Sequence, residues 1–345
     1  MERRGPPHTI GRALLLGGSS GGRQRGRGAA ARTRGTILSN ERVLVTGSTG
    51  VIGTAIVHEL REHGYDVFAA SSEQADLRDE SATAALLNTV APDSVIHLAA
   101  RVHGLMGNLR SPGEMYFDNA RINTNVVEAS RLAGVRKIVA MGSVAMYSDG
   151  LRMPMRESDI WMGPPHASEA GYAHAKRGML AQLEAYAEQY GVDYAMVLST
   201  NLFGPADRFD EERGHVLPSL VSRFHRSVRL DQRMVVWGDG SAQRDFLYSK
   251  DAATGLRILL ERGSGVYNLA SGRETRIREV VDTLAGVSGY RGEIEWDTSK
   301  PNGQRERSYD VSRLTGLGWT PRYGLEEALR ETYEWFDANA SLVRR

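Results

Sequence analysis

The feature that most constrains this chain is a turn. Arg42–Thr46 (RVLVT) is a β-branched apolar run that ends in Thr46-Gly47-Ser48-Thr49-Gly50-Val51-Ile52-Gly53, and Val51, Ile52, Ala55, Ile56 and Leu60 then recur at helical spacing. One glycine in such a turn permits the tight bend, one lets backbone approach a pyrophosphate, and one lets helix pack on strand. The helix N-terminus adds N–H groups and a positive dipole. G-x-x-G-x-x-G alone is a weak signal, because glycine turns between strand and helix are common. With a strand before it, and an amphipathic helix and second strand after it, the segment points to a dinucleotide.

The alternation continues. Asp66–Ala70, Ser94–Leu98 (SVIHL), Lys137–Met141 (KIVAM) and Tyr194–Ser199 read as strands, separated by helices over Ser81–Val90, Asn119–Ala133 and Glu169–Tyr190. Nearly all-apolar strands between helices predict an α/β fold, a Rossmann-type doubly wound parallel sheet covered on both faces. After Asn201, Gly, Pro and charge become frequent and elements shorten. Helices are expected near Leu217–Arg226, at Lys250–Glu261, from Ile277 and from Gly324 to Asp337, with strands at Val235–Trp237 and Val266–Leu269. The pattern predicts a smaller C-terminal α/β substrate domain. Residues 41–200, with contributions from about 245–270, would form the dinucleotide-binding Rossmann domain, and 201–244 with 271–338 the substrate domain.

Residues 1–40 contain nine Gly and eight Arg against one Glu, without a sustained hydrophobic period, and read as a disordered leader. Ala13–Leu16 is too short for the apolar core of an export signal. The rest of the chain carries 35 basic and 41 acidic residues, so its mild acidity argues against a nucleic-acid partner. No apolar run approaches the ~20 residues of a membrane helix. Cysteine is absent, which removes disulfides, thiolate metal sites and a cysteine nucleophile together and fits a reducing, cytoplasmic setting. No metal site is expected.

Ala69, Ala70, Ser71 and Ser72 close the second strand, and the first acid is Glu73. An acid at that strand end would accept from a free ribose 2′-hydroxyl. Its absence leaves room for a 2′-phosphate beside two hydroxyl donors, which favours NADP(H). Asp76 and Leu77 either face the adenine or simply lead into the next helix. The expected cofactor residues are Gly47, Thr49, Gly50, Val51, Ile52, Gly53, Ser71, Asp76, Leu77 and Ala99, joined by Tyr172 and Lys176.

Tyr172-Ala-His-Ala-Lys176 puts Tyr and Lys one helical turn apart on one face. A phenol titrates near ~10, and a neighbouring ammonium favours its ionised form. The lysine can also hold the nicotinamide ribose. Ser143, at the end of the strand Lys137–Met141, lies where a parallel sheet presents ligands, and its hydroxyl can orient a carbonyl beside Tyr172. Tyr and Lys four apart occur by chance on many helices. A glycine turn, a Ser after a middle strand and Tyr-x-x-x-Lys 29 residues beyond it coincide far less often.

With these parts in place, the chain from about Arg42 to Phe336 resembles the extended short-chain dehydrogenase/reductases that act on nucleotide sugars, and among them the GDP-L-fucose synthases. The resemblance is carried by Tyr172–Lys176, Ser199–Pro205 (STNLFGP), His215–Pro218 (HVLP), Val235–Leu247 (VVWGDGSAQRDFL) and Ser299–Gly303 (SKPNG). It implies Ser143, Tyr172 and Lys176 as the catalytic set. It also implies Asn201, Leu202, His215, Val216, Trp237, Arg244 and Lys300 as contacts to a nucleotide-diphospho-deoxysugar. Arg244 and Lys300 have the charge to neutralise a diphosphate, and Trp237 offers a flat face to a base or sugar. The family further implies a homodimer paired through the helices Asn119–Ala133 and Glu169–Tyr190.

The pattern breaks at one point. These synthases epimerise a 4-keto-6-deoxy sugar beside the ketone and then reduce the ketone, and epimerisation uses a cysteine together with the histidine matching His215. The cysteine position, two residues after Ser143, is Ala145, and a methyl group transfers no proton. The expectation is a C4 ketoreductase whose epimerase half is lost. The alternatives are a bifunctional synthase that uses another acid, and a non-catalytic dinucleotide sensor.

Overall fold

The computed structural model describes residues 41–102, 108–211, 214–300, 307–341 and 343. The Arg/Gly-rich leader 1–40 and residues Pro301–Gly303 of the SKPNG block lie outside the described residues.

The first strand, β1 (Arg42–Thr46), has Val43, Leu44 and Val45 fully buried, so both of its faces are covered. It runs through the glycine turn into α1 (Val51–Glu62), whose Ile52, Ile56, Val57 and Leu60 form one buried stripe. There follow β2 (Asp66–Ala70), α2 (Glu80–Val90), β3 (Ser94–His97), α3 (Pro112–Leu132), β4 (Lys137–Met141), α4 (Ala170–Tyr190) and β5 (Asp193–Ser199). The helix expected from Asn119 begins seven residues earlier, at Pro112. Proline suits the first turn of a helix, where its missing N–H has no partner to lose.

Beyond β5 the chain forms β6 (Asn201–Phe203), α5 (Val216–Leu230), β7 (Met234–Trp237), β8 (Gln243–Arg244), β9 (Phe246–Tyr248) and α6 (Ser249–Arg262). It continues with β10 (Gly265–Leu269), β11 (Thr275–Arg276), α7 (Ile277–Ser288), β12 (Ile294–Asp297), α8 (Ser312–Thr315) and α9 (Leu325–Asn339). Six strands make one sheet in the order β10-β5-β4-β3-β1-β2, and every pairing in it is parallel. The doubly wound α/β fold is therefore as expected, and β10 completes the sheet from a late part of the chain.

The sheet has an apolar layer on each side. Ile56 and Leu60 pack with Leu256 and Leu259 of α6 in one layer, while Leu87, Val126 and Leu180 from α2, α3 and α4 share the other. Each such side chain contributes about 1.5–3 kcal/mol when fully buried. A third apolar cluster is built from α5, α7 and α9, with Phe203, Phe224, Val281 and Leu329 among its members. Its strands are short two-stranded ladders, β6 with β9, β7 with β12 and β8 with β11. The order of the main sheet reverses between β1 and β3, so the strand ends there open a crevice, the usual ligand position in such sheets.

Candidate active site

The glycine turn is shaped by contacts that only glycine tolerates. Gly47 has φ +71°, and a Cβ there would lie 2.8 Å from the Ala99 nitrogen. A Cβ on Gly53 would lie 2.2 Å from the Gly47 carbonyl oxygen, so this position seats helix on turn. At Gly50, by contrast, the nearest atom to a Cβ is 3.6 Å away, and the residue caps α1. Its open side faces a cavity of about 1120 Å³ that runs from the turn to the C-terminal elements.

On the sheet side that cavity is lined by Gly47, Thr49, Gly50, Val51 and Ile52, and beyond them by Ser143, Tyr172 and Lys176. Ser143 leaves β4 and caps a short 3₁₀ turn over Val144–Met146, where its Oγ accepts from the Ala145 nitrogen at 3.1 Å. Ala145 is buried but lines the same cavity. Tyr172 and Lys176 lie in the first turns of α4. The start of that helix is pressed onto α3, where a Cβ on Gly171 would meet the Pro112 carbonyl oxygen at 2.3 Å.

Electrostatics at this pair differ from the expectation. Lys176 is fully buried and its Nζ has no hydrogen-bond partner among the described residues, and burial lowers its pKa to about 7. Its Nζ lies 5.9 Å from the centroid of the Tyr172 ring, over the face of the phenol. Burial, reinforced by Glu169, pushes the Tyr172 phenol above its ordinary value. Within the protein alone desolvation therefore outweighs attraction, and the ammonium does not bring the phenol toward neutrality. A buried Nζ without an acceptor fits ribose hydroxyls, and the open face of the glycine turn fits a pyrophosphate. The residues present suit a dinucleotide.

The opposite wall brings Asn201, Leu202, His215 and Arg244 to the cavity. Asn201 Nδ2 donates to the Asp245 carbonyl at 2.9 Å. His215 is the residue before α5. Its ring is open to the cavity but surrounded by protein, and that desolvation lowers its pKa against an opposing pull from Glu169. Arg244 has its pKa lowered by burial and by nearby Arg307.

Other expected residues lie outside the cavity wall. Val216 and Trp237 are exposed at the surface, and Lys300 Nζ sits 5.8 Å from the Trp237 ring centroid. Ala99 supports the turn from β3 by donating its N–H to Thr46 Oγ1 at 3.3 Å. Both donors of Ser71 are taken by Gln74 Oε1, at 2.7 and 2.8 Å. Asp76 is clamped by Arg78, which holds its carboxyl well below the usual range, and the Leu77 carbonyl accepts from Asn125 at 3.0 Å.

Several cavity residues escaped the sequence reading. Arg307 lines the cavity, with Nη2 2.8 Å from Asp149 Oδ1 and Tyr309 beside it. Asp207 lines the cavity directly after Ala206, a non-glycine residue at φ +62°. Its Oδ2 is buried without a partner among the described residues, and burial raises the carboxyl to about 7. Asn108 Oδ1 is a further buried acceptor on this wall without a partner among the described residues. A strained backbone and unsatisfied polar atoms around one cavity are what a ligand site leaves in a protein. Among the described residues no group of acidic or histidine side chains could hold a metal ion, and no helix is long and apolar enough to cross a membrane.

The chain is similar to known proteins over most of its length. Residues 43–270 match the NAD dependent epimerase/dehydratase family, and the chain belongs to that family. It is 34% identical over 308 residues to the GDP-L-fucose synthase of Sinorhizobium fredii, covering 88% of this chain and 98% of the relative. It is 33% identical over 320 residues to the GDP-L-fucose synthase of Escherichia coli, covering 89% and 100%. Among solved structures, a GDP-L-fucose synthetase from Naegleria fowleri bound to NADP superposes with a TM-score of 0.82 at 32% identity, covering 88% of this chain and 95% of that one.

Proposed function

We propose that this protein is an NADPH-dependent reductase acting on the C4 ketone of a nucleotide-diphospho-4-keto-6-deoxy sugar, GDP- or dTDP-linked, without the epimerase steps. The observation that carries the reading is one cavity with two walls. Ser143, Tyr172 and Lys176 line it beside the glycine turn, Arg244 and Arg307 line it from the later part of the chain, and Ala145 stands where the family resemblance implies a cysteine. Relatives named GDP-L-fucose synthase and a neighbour bound to NADP support both the sugar class and the cofactor.

The cofactor supplies the hydride when bound. Tyr172 hands a proton to the ketone oxygen as charge develops there, Ser143 orients that oxygen, and Lys176 holds the ribose. A bound ribose gives the Lys176 ammonium the acceptors it lacks and so restores the charge that assists the phenol. Arg244 and Arg307 neutralise the diphosphate. The six-stranded sheet serves the cofactor, and the third apolar cluster with its short ladders serves the nucleotide sugar. Tyr116, Phe117, Leu132 and Tyr190 expose 47–65% of their surface along α3 and α4, and we assign this face to a homodimer. We place the enzyme in the cytoplasm, where NADPH is supplied.

Asp207 favours a second reading. A cavity carboxyl titrating near 7 is the kind of acid that a bifunctional synthase lacking cysteine would need. Incubation with GDP-4-keto-6-deoxymannose and NADPH in deuterated water separates the two. The reductase reading expects an unlabelled product. Deuterium at both carbons flanking the former ketone establishes epimerisation, and its loss in Asp207→Asn assigns the acid.

A further inference from the structure

Directly behind the cavity lies a polar chain that none of these steps uses. Thr46, His97 and Asn123 are sealed from solvent, at 0, 0 and 1% exposure. His97 Nδ1 lies 2.8 Å from Thr46 Oγ1, and its Nε2 lies 3.3 Å from Asn123 Oδ1. Thr46 Oγ1 accepts from the Ala99 nitrogen, so its own proton goes to the imidazole. Asn123 Nδ2 donates to the Ala175 carbonyl oxygen at 3.2 Å, which turns its amide oxygen toward His97. These partners fix the tautomer, with Nδ1 accepting and Nε2–H donating.

The chain therefore has one direction. It starts at the last residue of β1, where the glycine turn begins, passes through the end of β3 and the middle of α3, and ends on the residue before Lys176. A doubly protonated ring would require the Thr46 hydroxyl to turn and accept a second N–H, which leaves its own proton without the imidazole. Burial and the nearby Lys176 ammonium both oppose that form and lower the ring's pKa to about 3. For stability alone such a chain is replaceable, since apolar groups of similar shape cost little in a packed core. What it adds is geometric direction between two elements that must meet one ligand.

We propose that His97 is a positioning residue, which through Asn123 holds the Ala175–Lys176 segment in register with the glycine turn so that lysine and turn address one dinucleotide as a single body. The proposal rests on the placement of Lys176 at the cofactor made above. The structure offers no other polar side chain that joins β1, β3, α3 and α4 in one continuous path among the described residues.

The test compares His97→Leu, which fills the space without hydrogen bonds, and His97→Gln, which keeps one donor and one acceptor. NADPH affinity is read by fluorescence, turnover is read on GDP-4-keto-6-deoxymannose, and melting temperature is read for each protein. His97→Leu is expected to lose about tenfold or more in both NADPH affinity and kcat, with the KM for the sugar within about twofold of the original. His97→Gln is expected to recover most of that loss. Equal NADPH affinities in the wild type and both variants, or equal losses in the two variants assayed well below their melting temperatures, overturn the proposal. If His97→Leu does not fold, Asn123→Asp, which keeps an acceptor for His97 but cannot donate to Ala175, is read in its place. NADPH affinity needs no sugar, so a wild type that fails to turn over the keto sugar refutes the functional reading and leaves this comparison intact.

Discussion

The two walls of the cavity are made by different means. The cofactor wall hangs from the ends of long parallel strands buried on both faces, and its side chains are set by caps and close contacts. Examples are Ser143 on its 3₁₀ turn and Gly171 against Pro112. The far wall rests on ladders only two to four residues long and on helix termini, with Arg244 on β8, His215 before α5 and Arg307 held by Asp149. A wall set by the sheet keeps its geometry when one side chain changes, and a wall of short ladders offers places to vary. The difference suits the proposed division between a cofactor wall and a sugar wall.

If that division is right, changes on the two walls separate kinetically. The largest effect is expected from Tyr172→Phe, which keeps the ring and removes the proton donor. Turnover should fall by roughly 10²–10⁴-fold while NADPH binding is retained, measured by absorbance loss and fluorescence titration. Full activity in this variant would remove the phenol from the chemistry. Arg307→Gln should act on the other wall. A lost charge-assisted contact of about 1.5–3 kcal/mol corresponds to a KM for the nucleotide sugar raised roughly ten- to a hundredfold, with NADPH affinity unchanged. A matching loss of NADPH affinity would show that the walls are not independent.

The smallest effect concerns stability. The pKa of Lys176 falls from 10.5 when exposed to about 7 in the folded, cofactor-free protein. Between those values the unfolded chain binds the extra proton, so this group makes stability rise with pH across that interval. Lys176→Met, of similar length and without charge, should therefore melt at a higher temperature than the cofactor-free wild type at pH 7. That advantage should shrink as pH approaches 10. A constant difference across the range would mean that the buried amine is not the source.

Much of the first wall could be read in the chain because a strand buried on both faces is a nearly unbroken apolar run, as in RVLVT and KIVAM. The glycine turn and the Tyr-x-x-x-Lys spacing are equally local. The far wall left weaker marks. β6, β8, β9, β11 and β12 are two to four residues long and gain their order from partners distant in sequence, so no periodicity announces them. Arg307 was obscured because charge alone does not choose between neighbouring basic residues, and the isolated bridge of Tyr309 to Met155 brings that segment to the cavity. Asp207 was invisible because its role depends on the loss of solvent and partners, which no motif encodes. His97 stood within the strand SVIHL and could have been questioned there, since a histidine in an otherwise apolar strand has to find partners for two nitrogens.

Ala145 carries a broader consequence. It occupies the second position of a short turn whose backbone is held by Ser143, and it lines the cavity. On the proposed reading, one exchange at that residue would move this scaffold between single-step and multi-step sugar remodelling, with the surrounding turn left unchanged. Pathways that diverge in this way would leave near-identical folds with different stereochemical outputs.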